Sequence, residues 1–189
     1  VGAQHNNGAI YIGGLLAYTG KAAPFVFVGC HSHGTITTTK STKSTTDFCV
    51  GGIISYRGSH PATLRGCYNE GNINIEGDSF QSIYVGGVAG YTTTLSVEVD
   101  SAYPYSYNTG NITVGNKGEG AKPITATKNL AVGGYFAVTT STKAYDDDLA
   151  NSGNIIVDNA KAANVYVAGV WAFMNGAANI ASTAKYTNI

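Results

Sequence analysis

The residues with chemistry to offer are scattered acids, three thiols, a pair of histidines and a knot of tyrosines. Glu70, Glu76, Asp78, Glu98, Asp100 and Glu119 could supply a glycoside-cleaving pair. That reaction needs two carboxyl groups about 5–10 Å apart. Glu98 and Asp100, two residues apart on one expected strand face, are the best placed. Asp146, Asp147 and Asp148 form the one acidic run, just before Asn151. Carboxylate oxygens suit calcium, but the run lacks the alternating Asp and Gly spacing of a calcium loop and reads as a solvated loop. Cys30-His31-Ser32-His33 holds metal-ligand types. A zinc site needs three or four convergent ligands, and a strand here is expected to set His31 opposite Cys30 and His33. Cys30 and Cys67 share one slot of a repeat, so they are either a disulfide or two free buried thiols; three free thiols are expected. Tyr103, Tyr105 and Tyr107, with Tyr68 nearby and Trp171 further on, are the best recognition residues. Aromatic faces stack on sugar rings and favour recognition surfaces. No Gly-x-Ser-x-Gly elbow and no phosphate loop occurs in the sequence.

The elements that must position these residues are repeats. One half-motif reads Ile10-Tyr-Ile-Gly-Gly-Leu-Leu-Ala-Tyr18. It returns from Phe48 to Tyr56, from Ile83 to Tyr91, and more loosely from Leu130 to Val138 and Val165 to Phe173. The other reads Cys67-Tyr-Asn-Glu-Gly-Asn-Ile73 and returns from Ser106 to Ile112 and Leu149 to Ile155. Cys30 to Ile36 is a degenerate first copy, and Lys185 to Ile189 the start of a fifth. The leading glycine of each pair falls at 13, 51, 86 and 133, with Ala168 at the fifth site: intervals of 38, 35, 47 and 35 residues. A period in this range denotes a solenoid, propeller or array.

Each unit shows two or three strand-like runs. The Gly-Gly run is apolar almost throughout, as for a strand buried on both faces or bulged at glycine. The Asn-Ile run alternates, as for a half-buried strand. A propeller needs about four strands per blade, so the expectation is an all-β, parallel β-helix-like solenoid of four to five repeats of roughly 35–47 residues, one array over residues 1–189. Stacked in parallel, Ile12, Val50, Val85, Val132 and Val167 form an aliphatic column. Tyr18, Tyr56, Tyr91, Val138 and Phe173 form a mostly aromatic one. Asn69, Asn108 and Asn151 can bond one another up the stack.

Composition agrees. Charged residues are 12%, about half the usual share, while Gly numbers 25, Tyr 13 and Pro 4. The 11 basic and 11 acidic residues balance, so the basic footprint of nucleic-acid binding is missing. No apolar run approaches the roughly 20 residues of a membrane helix.

The two half-motifs resemble the GLUG-type repeats of bacterial surface proteins, best at Ile83–Tyr91 and Ser106–Ile112. The resemblance spans Ile10 to Ile189; the last two Gly-Gly units lack its closing Gly-Tyr. It implies a secreted or cell-surface location and a segment of a larger, adhesin-like protein. The expected function is therefore a non-enzymatic extracellular stalk or binding surface, without cofactor, for a host or microbial glycan or protein. Alternatives are a carbohydrate-binding module, a polysaccharide-degrading β-helix, and a filament building block that self-associates end to end.

Overall fold

The computed structural model describes residues 2–6, 8–19, 24–58, 61–98, 100–140, 144–145, 148–174, 179–180 and 186–188. It is a β-solenoid of about four turns, with no helix among the described residues. Each full turn contributes to five parallel walls, not the two or three runs expected from the sequence. The first wall stacks Ala9–Gly13, Asp47–Gly51, Ser82–Gly86, Ile124–Gly133 and Ala160–Ala168. The second stacks Leu16–Thr19, Ile54–Arg57, Ala89–Thr92, Phe136–Thr139 and Trp171–Met174. The third runs through Phe25–Val28, Ala62–Arg65 and Leu95–Val97 to Asn179–Ile180. The fourth holds His31–Ser32, Tyr68–Asn69, Tyr105–Asn108, Asp148–Asn151 and Tyr186–Asn188, and the fifth the Ile36, Ile73, Ile112 and Ile155 strands. The third wall escaped notice because its strands, Phe25-Val-Phe-Val28, Ala62-Thr-Leu-Arg65 and Leu95-Ser-Val97, share no motif at the repeat period.

Both expected columns form. Ile12, Val50, Val85, Val132 and Val167 are in register, as are Tyr18, Tyr56, Tyr91, Val138 and Phe173. Asn188 falls in register with Asn151, so the last copy continues the fourth wall. Gly2–Asn6 pairs antiparallel with Ala9–Gly13 and covers that edge of the first wall. The long third interval comes from two insertions. The offset between paired residues is 33 at Leu64↔Val97, 39 at Asn69↔Asn108 and 46 at Ser79↔Thr125. The extra residues therefore fall within 98–104 and 115–123.

The interior is split into two cores by a waist. The first and fifth walls enclose Phe48, Val50, Ile73, Ile83, Val85 and Ile112 with Phe80. The second, third and fourth enclose Ile54, Leu64, Val88, Leu95, Tyr135 and Phe136 with Cys67 and Leu149. Burying one such aliphatic side chain contributes roughly 1.5–3 kcal/mol. Between the cores, the Gly-Gly corner touches the asparagine column. A Cβ on Gly52 would stand 2.4 Å from Asn69 Cγ and 2.1 Å from the Gly87 carbonyl oxygen. Gly87 meets Asn108, and Gly134 meets Asn151, in the same way. The two halves of the repeat are thus two sides of one contact. The asparagines are buried and linked: Asn69 Nδ2 donates to Asn108 Oδ1 at 2.8 Å and Asn108 Nδ2 to Asn151 Oδ1 at 2.7 Å. Each also donates to the carbonyl of the glycine two residues on. Their amides satisfy backbone that the turn would otherwise leave buried and unpaired.

Candidate functional site

Because the chain reverses at Gly-Gly, the outer faces of the first and second walls turn toward one another. They form a groove along the solenoid. From the first wall it takes Tyr11, Cys49, Tyr84, Ala131 and Tyr166; from the second, Tyr18, Tyr56, Tyr91, Val138 and Phe173. Rings meet across it: Tyr11 and Tyr18 at 5.0 Å, Tyr84 and Tyr91 at 5.3 Å, Tyr166 and Phe173 at 4.8 Å. Rings also stack along it, Tyr18 on Tyr56 at 5.4 Å and Tyr56 on Tyr91 at 5.6 Å, the latter nearly parallel at 10°. Such contacts add to simple area burial. Small residues stand behind the rings at Ala17, Ser55, Gly90, Ala137 and Ala172, where the two walls come close. Ser55 Oγ fills one such place, accepting from the Ile12 amide at 3.2 Å and donating to the Cys49 carbonyl at 2.5 Å.

Burial, first of all, and then neighbouring phenols and thiol raise the Tyr11, Tyr56 and Tyr91 pKa values above the ordinary tyrosine value. Tyr11, Tyr56 and Tyr91 are accordingly neutral donors and acceptors at physiological pH.

The groove is interrupted once. In the fourth turn both columns carry a small residue, Ala131 and Val138, and the ring pairs on either side frame a slot. Tyr84 and Tyr91 form one wall, Tyr166 and Phe173 the other, with Asn129 and Thr140 at the rim; the space is about 180 Å³. Sequence reasoning placed Tyr91, Val138 and Phe173 in a column but passed over Tyr84, Ala131 and Tyr166 opposite them. The signal was the alternation Tyr11, Cys49, Tyr84, Ala131, Tyr166, large against small at one repeat position.

The tyrosines singled out in the sequence lie on the outside of the fourth wall. Tyr68 is sandwiched between His31, at 5.1 Å and 12°, and Tyr107, at 4.5 Å and 11°. Both ring faces of Tyr68 are therefore spent on the ladder. Only the outer face of Tyr107, in register with Ala150, is left. Below the rings, His33 Nδ1 lies 2.5 Å from Glu70 Oε2, and the Tyr107 hydroxyl donates to Glu70 Oε1 at 3.3 Å. Burial and the Glu70 charge push the Tyr107 phenol up to about 12. Tyr103 lies across two glycines, since a Cβ on Gly66 would stand 2.2 Å from its Cβ and one on Gly29 2.8 Å from its ring. Both glycines have positive φ, +55° and +59°, a region glycine adopts without strain. Tyr105 is exposed. Trp171 is not a surface residue of this group: it stacks on Phe136 at 6.1 Å, against the second core.

The other candidates fall apart. His31 and His33 are not on opposite sides; residues two apart on an extended chain share a face, and their rings meet at 4.9 Å. Glu98 and Asp100 turn to different partners. Glu98 pairs with Arg65 at 2.8 Å, while Asp100 Oδ1 accepts from the Ala102 and Tyr103 amides. Cys30, Cys49 and Cys67 are free thiols. Cys67 lies in the second core, where burial foremost pushes its thiol up to about 11. Asp146 and Asp147 lie outside the described residues, as does the side chain of Asp148. Among the described residues no three His, Cys, Asp or Glu side chains are grouped to hold a metal, and no helix is long and apolar enough to cross a membrane. No family model, no curated protein and no solved structure matches the chain.

Proposed function

We infer that the chain is a non-enzymatic, extracellular repeat segment of an adhesin-like or surface structural protein, of the kind its GLUG-like motifs suggest. The observation that carries this reading is the register. Like residues stand above like along the aliphatic and asparagine columns, so each added turn extends the core and the waist by the same contacts. Low charge suits such a stack, because like charges one strand spacing apart repel. The product is a rigid wall carrying rows of aromatic side chains on its outside, which is what a presenting surface requires.

The test is accessibility on the producing cell. Antibodies raised against the folded chain should label intact cells, and brief trypsin treatment of those cells should remove the signal. Labelling that appears only after permeabilisation would sink the proposal.

A further inference from the structure

The slot at Ala131 and Val138 has dimensions set by the fold. The ring pairs that frame it stand two turns apart, about 9.6 Å at the usual strand spacing. Tyr56 and Tyr91 stack along the axis nearly parallel. One face of Tyr91 is thus covered by Tyr56, and the other turns toward the fourth turn, where a ring is missing. The floor is apolar, with Ala131 and Val138 both buried. Among the described residues, no charged side chain lines the space. The polar groups around it are the phenols of Tyr84, Tyr91 and Tyr166, the Thr140 hydroxyl, and Asn129, whose Oδ1 accepts from Asn164 Nδ2 at 3.1 Å.

We propose that this slot binds one pyranose ring of a neutral glycan. The ladder omits one ring pair, and the guest takes its place. A flat aromatic guest midway between the two walls would stand about 4.8 Å from each, beyond the 3.5–4.0 Å of good carbon contact. A sugar chair is thicker, because axial C–H bonds project from both faces, and it reaches both walls. Its hydroxyls lie at the ring edge, where the phenols, Thr140 and Asn129 can donate and accept. An anionic sugar would bring a charge that no described lining residue matches. A half-open slot holding a single ring predicts a Kd on the order of millimolar, with tighter binding only through several sites. The proposal rests on the reading of the chain as a binding surface and names one site and one ligand class for it.

The experiment is saturation-transfer NMR on the full chain with methyl glucoside, galactoside and mannoside as probes. The expected result is transfer to the ring C–H protons of at least one sugar. Val138→Tyr should weaken that binding at least tenfold. The variant should still fold, since Tyr18, Tyr56 and Tyr91 hold the same position in the first three turns. Tyr166→Ala, which removes a wall rather than filling the space, should weaken binding as well. No transfer from any of the three sugars overturns the proposal. So does binding that survives both substitutions, although sugar binding elsewhere would leave the surface-protein reading standing. Preferential binding of N-acetyl-tyrosinamide would assign the slot to an aromatic peptide side chain and overturn the pyranose. The cell-labelling result is independent of all these outcomes.

Discussion

The waist and the groove are made by the same nine-residue motif, yet they tolerate change very differently. At the waist the sequence hardly varies. Gly14, Gly52, Gly87, Gly134 and Gly169 keep the second glycine in every turn, and Asn69, Asn108 and Asn151 face three of them. In the groove the same register holds Tyr, Cys or Ala in one column and Tyr, Val or Phe in the other. The reason is what each side chain meets. At the waist it meets backbone of the next turn, which cannot move without unstacking the solenoid. In the groove it meets other side chains beside open solvent, which can. Of these two regions, only the groove has room for variation.

The comparison is broken most severely at Gly87. Its added Cβ would stand 2.0 Å from the Gly134 carbonyl oxygen and 2.5 Å from Asn108 Cγ. Gly87→Ala should cost about 4 kcal/mol or more, enough to unfold a domain of ordinary stability. Gly86→Ala should cost less. Its nearest obstacle, the Ala89 carbonyl oxygen at 1.8 Å, belongs to its own corner, the next turn's Ala137 amide stands further off at 2.9 Å, and the fifth turn already carries Ala168 at that site. Urea denaturation of both variants decides the matter; equal losses would refute the distinction between the two glycines.

Next in size is the asparagine column. Asn108 is fully buried, donates to Gly110 and Asn151, and accepts from Asn69. Asn108→Leu leaves those groups buried with fewer partners and should cost about 3 kcal/mol. The groove substitution Val138→Tyr, by contrast, should leave the melting temperature unchanged or raised. A loss at position 108 no larger than at 138 would erase the contrast between the regions.

The column can also be extended. Ser32 stands in register with Asn69, where later turns have asparagine, and Asn69 Oδ1 is buried without a hydrogen-bond partner. The local sequence Ser32-His33-Gly34 otherwise matches Asn69-Glu70-Gly71. Ser32→Asn should bring an amide donor to that oxygen and stabilise the protein by about 1 kcal/mol. A rise in the urea midpoint measures it. A fall would mean that the first turn differs in more than its side chain.

The ladders, the asparagine column and the parallel stacking were legible in the sequence, because repetition at a fixed period places like residues together whatever the wall shape. The groove was not. Alternation shows that Tyr84 and Val85 face opposite ways, but not that the face bearing Tyr84 folds onto that bearing Tyr91. That depends on the angle at the Gly-Gly corner, which only backbone geometry fixes. The Tyr68–Tyr107 cluster misled for a related reason. Tyrosines at one repeat position cover one another's faces when stacked, so their number overstates the surface they offer. The missing ring pair at Ala131 and Val138 carries more information than the rings that are present.

The smallest effect concerns pH and separates the regions by chemistry. The waist holds glycine and asparagine, which do not titrate. The groove holds Tyr11, Tyr56 and Tyr91, whose folded pKa values are raised, chiefly by burial, above the ordinary value of 10.0. On the fourth wall Tyr107 is raised to about 12. An acid with a raised folded pKa loses its proton first in the unfolded chain, so alkali favours unfolding. The stability these phenols contribute is fully present below pH 10 and is lost as the pH rises through their folded values. The Cys67 thiol, raised to about 11, acts in the same sense. Melting temperatures should hold constant up to about pH 8, begin to decline near pH 9 as the unfolded chain's thiol ionises, and fall further above pH 10 with the phenols. Tyr91→Phe keeps the stacking and removes one titrating phenol, so its decline should be shallower than that of the unsubstituted protein. Parallel declines would show that the groove phenols do not govern alkaline stability, and that the thiols or Tyr107 do.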